Sequence, residues 1–255
     1  MQALPLLLLV SGLLFAHGAG AAPLRLCFED VPQFPWTMPN GTGLNFDMLR
    51  RVEKLTGEQF VFVARPWKRC MEETKAGLMD GMIGAADSPA RRIFAVPPLT
   101  AAGQPDAARA MYQDRVFVFL RKGSGASWDG LRMNNPANVV VAQRGYYVAD
   151  LLRAQGYEVL DTAKSAEDGL RTLAAGTADA AVLQGHDAHD MVRQDPRFKG
   201  KITVSEKPFV VFDFHLMFGR KTHARQHKRL EAIWNAIAVV RADPAYQKLE
   251  ADSAR

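Results

Sequence analysis

The side chains able to do chemistry fall into a few small groups. Glu29 and Asp30 close an apolar stretch, and Asp87 stands just before Ser88-Pro89. Carboxyls in a cleft can act as general acids or bases, but these three are equally explained as a strand-end turn and a helix cap. His186 and His189 share one helix face with Asp187 and Asp190 nearby. That spacing suits metal ligands, yet no further cluster supports it, so a solvated face is expected and no metal. Gly219-Arg220-Lys221-Thr222 resembles the end of a phosphate loop and lacks the leading glycine. There is no Gly-x-Ser-x-Gly elbow and no dinucleotide fingerprint after a strand, so no catalytic residue and no cofactor are assigned. Gln143-Arg144-Gly145 joins an apolar strand, residues 139–142, to a helix over residues 147–155. A helix N-terminus at such a junction can receive an anion.

These groups are carried by alternating helices and strands. The pattern Ala-Gly-x-x-Asp-small-x-aliphatic occurs twice, around Asp80 and around Asp179. Each copy follows a helix stopped by glycine, Gly77 or Gly176, and precedes a short apolar strand. Two copies of one helix-Gly-Asp-strand unit predict two similar α/β lobes. Residues 24–28 and 59–64 read as strands. Phe46, Leu49, Val52 and Leu55 have the spacing of a buried helix face ended by Gly57. Two long β-rich segments, residues 115–121 and 209–219, flank the second unit and are the natural crossings between lobes. The last helix is expected over residues 226–240, on the first lobe. The organisation is therefore lobe one over residues 22–115 and 209–255, lobe two over residues 116–208, and a cleft between them.

The 255 residues, 48% hydrophobic and 23% charged, are ordinary globular values that exclude intrinsic disorder. A net charge of +5 without any run of five like charges argues against a nucleic-acid surface. Residues 1–21 carry no charged side chain and contain an apolar run, residues 4–16, before the small-x-small site Ala19-Gly20-Ala21. This reads as an export signal, although the n-region has no Lys or Arg, which leaves an uncleaved anchor open. An exported chain meets an oxidising compartment, where Cys27 and Cys70 suffice for one bridge or remain two buried thiols.

Three stretches together resemble the bacterial extracellular solute-binding proteins of family 3. They are Pro66-Trp67-Lys68-Arg69 with Gly77-x-x-Asp80-Gly81, then Ser88-Pro89-Ala90-Arg91, and the tail Phe214 to Phe218 with Trp234-Asn235-Ala236-Ile237. The resemblance spans essentially the mature chain. It implies a two-lobed α/β fold of the type 2 periplasmic-binding-protein kind with two hinge crossings. It also implies that Arg91, beside Ser88, grips a ligand carboxylate, a task a planar, permanently charged guanidinium suits. Trp67 would form an apolar wall, Phe34 and Trp36 an aromatic lid, and Arg144, Gly145 and Tyr146 a helix-end contact from lobe two. At Gln184, where relatives commonly place an acid for a ligand ammonium, this chain has an amide. In this fold Cys27 and Cys70 sit on neighbouring elements, so a disulfide inside lobe one is expected.

The expected function is a monomeric periplasmic binding protein that captures a small polar or anionic solute, with an inner-membrane ABC permease as partner. With Arg91 and Arg144 in the cleft and no acid at Gln184, a small organic anion is favoured over a basic amino acid. The alternatives are an enzyme on the same scaffold, similar to cyclohexadienyl dehydratase, and an accessory or sensor protein without a transported ligand; fold alone does not separate them.

Overall fold

The structure is a computed structural model that describes residues 22–134 and 139–253; the expected export signal lies outside the described residues. Among the described residues no helix is long and apolar enough to cross a membrane.

The chain begins with β1 (Leu24–Glu29), α1 (Leu44–Thr56), β2 (Phe60–Arg65), α2 (Trp67–Ala76) and β3 (Gly81–Ala86). β1 pairs in parallel with both β2 and β3. α1 buries Phe46, Leu49 and Val52 in the first core, with Phe46 edge-on to Phe28 of β1 and Phe62 of β2, whereas Leu55 in its last turn is exposed. Gly57 and Gly77 end α1 and α2 in the left-handed region, at φ 73° and 83°, where glycine pays no steric penalty. α3 (Pro89–Arg92) and β4 (Ala95–Val96) then lead to β5 (Tyr112–Arg121), which leaves the first lobe. The ribbon of β6 (Ser127–Trp128) and β7 (Met133–Asn134) follows.

The second lobe repeats the plan with β8 (Val140–Gln143), α4 (Tyr147–Ala154), β9 (Val159–Ala163), α5 (Ala166–Ala174) and β10 (Ala180–Leu183). After α6 (His186–Gln194) and β11 (Ile202–Val204), β12 (Val210–Gly219) returns to the first lobe. There α7 (Arg220–Ala242) and α8 (Pro244–Ser253) complete it. The strand order is β2-β1-β3-β12-β5-β10-β8-β9, one sheet in which β12 and β5 join the halves. These strands run antiparallel side by side from Phe214 opposite Tyr112 to Val210 opposite Val116. β12 also pairs β3, and β5 also pairs β10, so the two hinge crossings are paired strands.

The repeated aspartates tie each helix-to-strand loop down. Asp80 accepts the Arg25 amide at 2.8 Å and the Thr222 hydroxyl at 3.0 Å, and Asp179 pairs with Arg121. Thr222, from the phosphate-loop-like run, thus has a structural partner. The expected disulfide is present between Cys27 on β1 and Cys70 on α2, elements that pack face to face. One apolar cluster fills the first lobe around Phe46, Leu216 and Trp234, and another fills the second around Leu170, Ala181 and Phe198. A third, with Trp67, Met82, Val118, Tyr146 and Leu152, draws on both.

The final helical region departs from the sequence reading. The helix starts at Arg220 rather than at 226, and Gln226 is its one non-helical residue, at φ −134° and ψ 25°. Apolar periodicity starts only after this kink, because the first turn carries Arg220, Lys221, His223 and Arg225 and packs little of its surface.

Candidate functional site

The pocket between the lobes lies at the carboxyl ends of the strands, where open α/β sheets commonly bind ligands. β1 delivers Glu29 at its last position, and the loop after it delivers Gln33 and Thr37. α2 begins at the pocket with Trp67, and Arg91 reaches in from α3. The second lobe supplies Tyr146, Tyr147 and Val148 at the start of α4, with Gln184 after β10. The hinge strands contribute Tyr112, Phe212 and Phe214.

Arg91 is the pocket's buried cation. Its Nη1 donates to the Ala86 carbonyl at 2.6 Å and its Nη2 to the Gly145 carbonyl of the other lobe at 3.3 Å. The guanidinium carbon stands 5.4 Å from the Trp67 ring centre, a cation–π contact. No carboxylate among the described residues forms a salt bridge with it, and burial pulls its pKa down to about 10. Ser88 caps α3 by accepting the Arg91 amide at 3.3 Å, so it holds the backbone beneath Arg91 and does not line the pocket. The neighbouring Arg92 pairs with Asp87 at 2.8 Å, which removes Asp87 as a free acid.

Glu29 is the pocket's buried acid. Burial, with the charge of Asp30 second, pushes its carboxyl up to about 8, so the group is protonated at neutral pH. Its Oε1 accepts the amides of Asp30 and Trp67 at 3.2 Å, and its Oε2 accepts the Tyr146 hydroxyl at 3.3 Å. The Gln33 amide donates in turn to Tyr146, and the Gln184 amide donates to Gln33 at 3.3 Å. Gln143 holds Gln184 through its backbone, accepting its N–H at 2.8 Å and donating to its carbonyl at 3.2 Å. A relay of polar side chains therefore crosses the cleft from Gln184 through Gln33 and Tyr146 to Glu29.

The apolar wall is a stack of rings on the hinge strands. Tyr112 lies between Trp36, 4.0 Å away at 14°, and Phe214, 4.7 Å away at 9°. Phe212 continues the wall to Tyr147 at 5.7 Å. The cavity these groups leave is small, about 30 Å³. That is room for roughly two waters, so a larger solute requires the polar side chains to swing or the lobes to part.

Of the residues singled out in the sequence, the pocket brings together Glu29, Trp67, Arg91, Tyr146, Gln184 and Phe214. Gly145 meets the site only through the carbonyl that Arg91 holds. Its φ of 78° and the contact a Cβ would make with Lys68 at 2.8 Å call for glycine in this turn. Trp36 backs Tyr112 from the core, and Phe34 is 45% exposed outside the lining. Arg144 is exposed, and its amide is spent on the Ala163 carbonyl at 2.9 Å. In this structure Arg144 is therefore outside the pocket lining, and the turn offers the Gly145 carbonyl to Arg91.

Glu29, one of the carboxyls named in the sequence, supplies the pocket with an acid that on ionising could meet a ligand ammonium. Its signal was present, an acid at the carboxyl end of a parallel strand. Phe212 and Phe214, two apart on one strand face, were likewise legible. Tyr112 was not, because the sequence reading began that strand three residues later. His186 and His189 lie on α6 away from the pocket, with His186 Nε2 3.4 Å from Asp114 and the His189 ring against Phe117.

Paired crossing strands, two α/β lobes and a polar cleft define the two-lobed fold of periplasmic binding proteins, and comparison with solved structures gives the same fold. No protein-family model matches the sequence, and no curated protein does. A histidine kinase sensor domain with similarity to periplasmic binding proteins superposes with a TM-score of 0.70 at 19% identity, covering 90% of this chain and 95% of that one. An arginine transport-system periplasmic binding protein from Legionella pneumophila gives a TM-score of 0.70 at 14% identity, with 91% and 99% covered. An ancestral amino acid-binding protein, a precursor of cyclohexadienyl dehydratase, gives 0.66 at 16% identity, with 91% and 95% covered.

Proposed function

We propose that the protein is a periplasmic solute-binding protein that holds a small carboxylate-bearing solute between its lobes, for delivery to an ABC permease. Lobe one comprises residues 22–115 and 209–255 in this reading, and lobe two residues 116–208. The observation that carries it is Arg91, a buried guanidinium at the cleft with two carbonyl acceptors and no carboxylate salt bridge among the described residues. An unpaired buried charge is costly, and an incoming carboxylate would satisfy it in bidentate fashion. The ring stack of Tyr112, Phe214 and Phe212 suits the apolar part of such a solute. Glu29, on ionising, could meet an ammonium, so amino acids join organic acids as candidates. Solved structures of similar fold include arginine-binding and other amino-acid-binding proteins, which agrees with this class.

The test is calorimetry of the parent and Arg91→Ala against amino acids, dicarboxylates and aromatic acids. A charge-assisted hydrogen bond contributes about 1.5 to 3 kcal/mol, so Arg91→Ala should bind about tenfold more weakly or worse. Arg144→Ala, outside the pocket, should bind as the parent does. Undiminished affinity in Arg91→Ala would reject this reading.

A second reading rests on Glu29. A carboxyl held protonated at neutral pH in a cleft is a candidate general acid, and the same fold is found in an amino acid-binding precursor of cyclohexadienyl dehydratase. Turnover of a bound acid that is lost in Glu29→Gln while binding persists would favour the enzyme.

A further inference from the structure

Outside the cleft, the kink in α7 gathers three side chains of metal-ligand type that a straight helix would keep apart. His223, His227 and Glu231 recur every fourth residue, so the outer two would be separated by about 12 Å along an ideal helix axis. The non-helical backbone at Gln226 folds the first turn back, and one ligand atom from each of the three then lies within 4.8 Å of the others. The His223 ring stands 4.8 Å from that of His227 and 5.8 Å from Trp234, which fixes the returned turn against the helix body.

Glu231 is divided between two duties. Its Oε2 accepts from Arg109 Nη1 at 2.7 Å, while its Oε1 faces His227 Nδ1 at 4.0 Å. Arg109 is itself fixed by Asp106 at 2.7 Å and by the Leu99 carbonyl. A carboxylate oriented by a hydrogen bond through one oxygen and free at the other is the usual arrangement of a metal ligand.

The geometry points to a site for a divalent ion of the zinc type, held by His223, His227 and the Oε1 of Glu231. Two imidazoles and one carboxylate suit zinc or nickel better than calcium or magnesium, which prefer all-oxygen shells. Around one ion the donors would stand roughly 3.4 Å apart, given bonds of about 2.0 to 2.2 Å. Side-chain rotation therefore closes the gap. The described residues include no free cysteine to compete, and the remaining histidine pair, His186 and His189, lies on α6 in the other lobe. Binding would brace the kinked start of α7 directly after the hinge strand β12. This site stands independently of what the cleft binds.

The experiment is titration of the full chain with zinc chloride in a non-coordinating buffer, followed by calorimetry. Saturable binding of one ion per chain is expected, weakened by about tenfold or more in His227→Ala and in His223→Ala. Glu231→Gln should weaken it less. The double variant His186→Ala with His189→Ala should titrate as the parent does. The His227 side chain is 60% exposed, so its loss should leave the circular dichroism unchanged and the comparison valid. No saturable binding at millimolar zinc, binding that survives both His223→Ala and His227→Ala, or binding lost only with the α6 pair would overturn the site.

Discussion

Glu29 shows how one residue's surroundings reverse its ordinary behaviour. In the unfolded chain its carboxyl ionises near 4.5, and in the folded pocket near 8. Between those values the folded state holds a proton that the unfolded state has released, so stability falls as pH rises through this window and levels off above it. Below 4.5 both states are protonated and the penalty vanishes. The full difference corresponds to on the order of 5 kcal/mol. Urea unfolding at pH 5 and pH 8.5 should show Glu29→Gln gaining stability relative to the parent at the higher pH. Equal pH profiles for the two proteins would mean that Glu29 ionises normally. If the ligand brings an ammonium to this carboxylate, binding should also release a proton near neutral pH, detectable as a heat that varies with buffer ionisation enthalpy.

At the scale of elements, the disulfide and the paired hinge strands set the frame on which the site hangs. Cys27 and Cys70 close a separation of 43 residues, joining β1, which ends in Glu29, to α2, which begins with Trp67. In the chain-entropy model that closure contributes about 4 kcal/mol. The double variant Cys27→Ala with Cys70→Ala should therefore lose a comparable amount of unfolding free energy by chemical denaturation, and the reduced parent should match it. A loss below about 1 kcal/mol would show that β1 and α2 hold their relation through packing alone. α1, α2 and strands β1, β2, β3, β8 and β10 were legible as elements because glycine stops and apolar spacing are local signals. The kink at Gln226 was not, since it is stabilised by the contact of His223 with Trp234, residues on opposite sides of the bend.

The whole molecule has its lobes in direct contact through polar side chains. Gln33 touches both Tyr146 and Gln184, Tyr146 reaches Glu29, Arg91 reaches Gly145, and Lys68 lies 4.0 Å from Asp161. Each contact joins a residue of the first α/β unit to one of the second, so each would favour a closed over a parted arrangement of the lobes. The double variant Gln33→Ala with Tyr146→Phe removes the central relay while leaving both lobe cores intact. Small-angle scattering should give it a larger radius of gyration than the parent. Superimposable curves would show that the shared apolar cluster around Trp67 and Leu152, rather than the relay, sets the closure.

The sequence by itself determined the alternation of helices and strands and the twofold recurrence around Asp80 and Asp179, and it singled out Arg91, Trp67, Tyr146 and Gln184, which line the interlobe pocket. These are encoded by spacing and residue type, or by motifs that keep their order along the chain. Tertiary structure alone decided which neighbouring side chains face the cleft. Arg144 and Tyr146 are two residues apart, yet one is exposed and the other buried, because the turn aims the Gly145 carbonyl at Arg91. Glu29 became a protonated pocket acid only when β1, α2 and Tyr146 closed around it and removed the water that would have stabilised its charge.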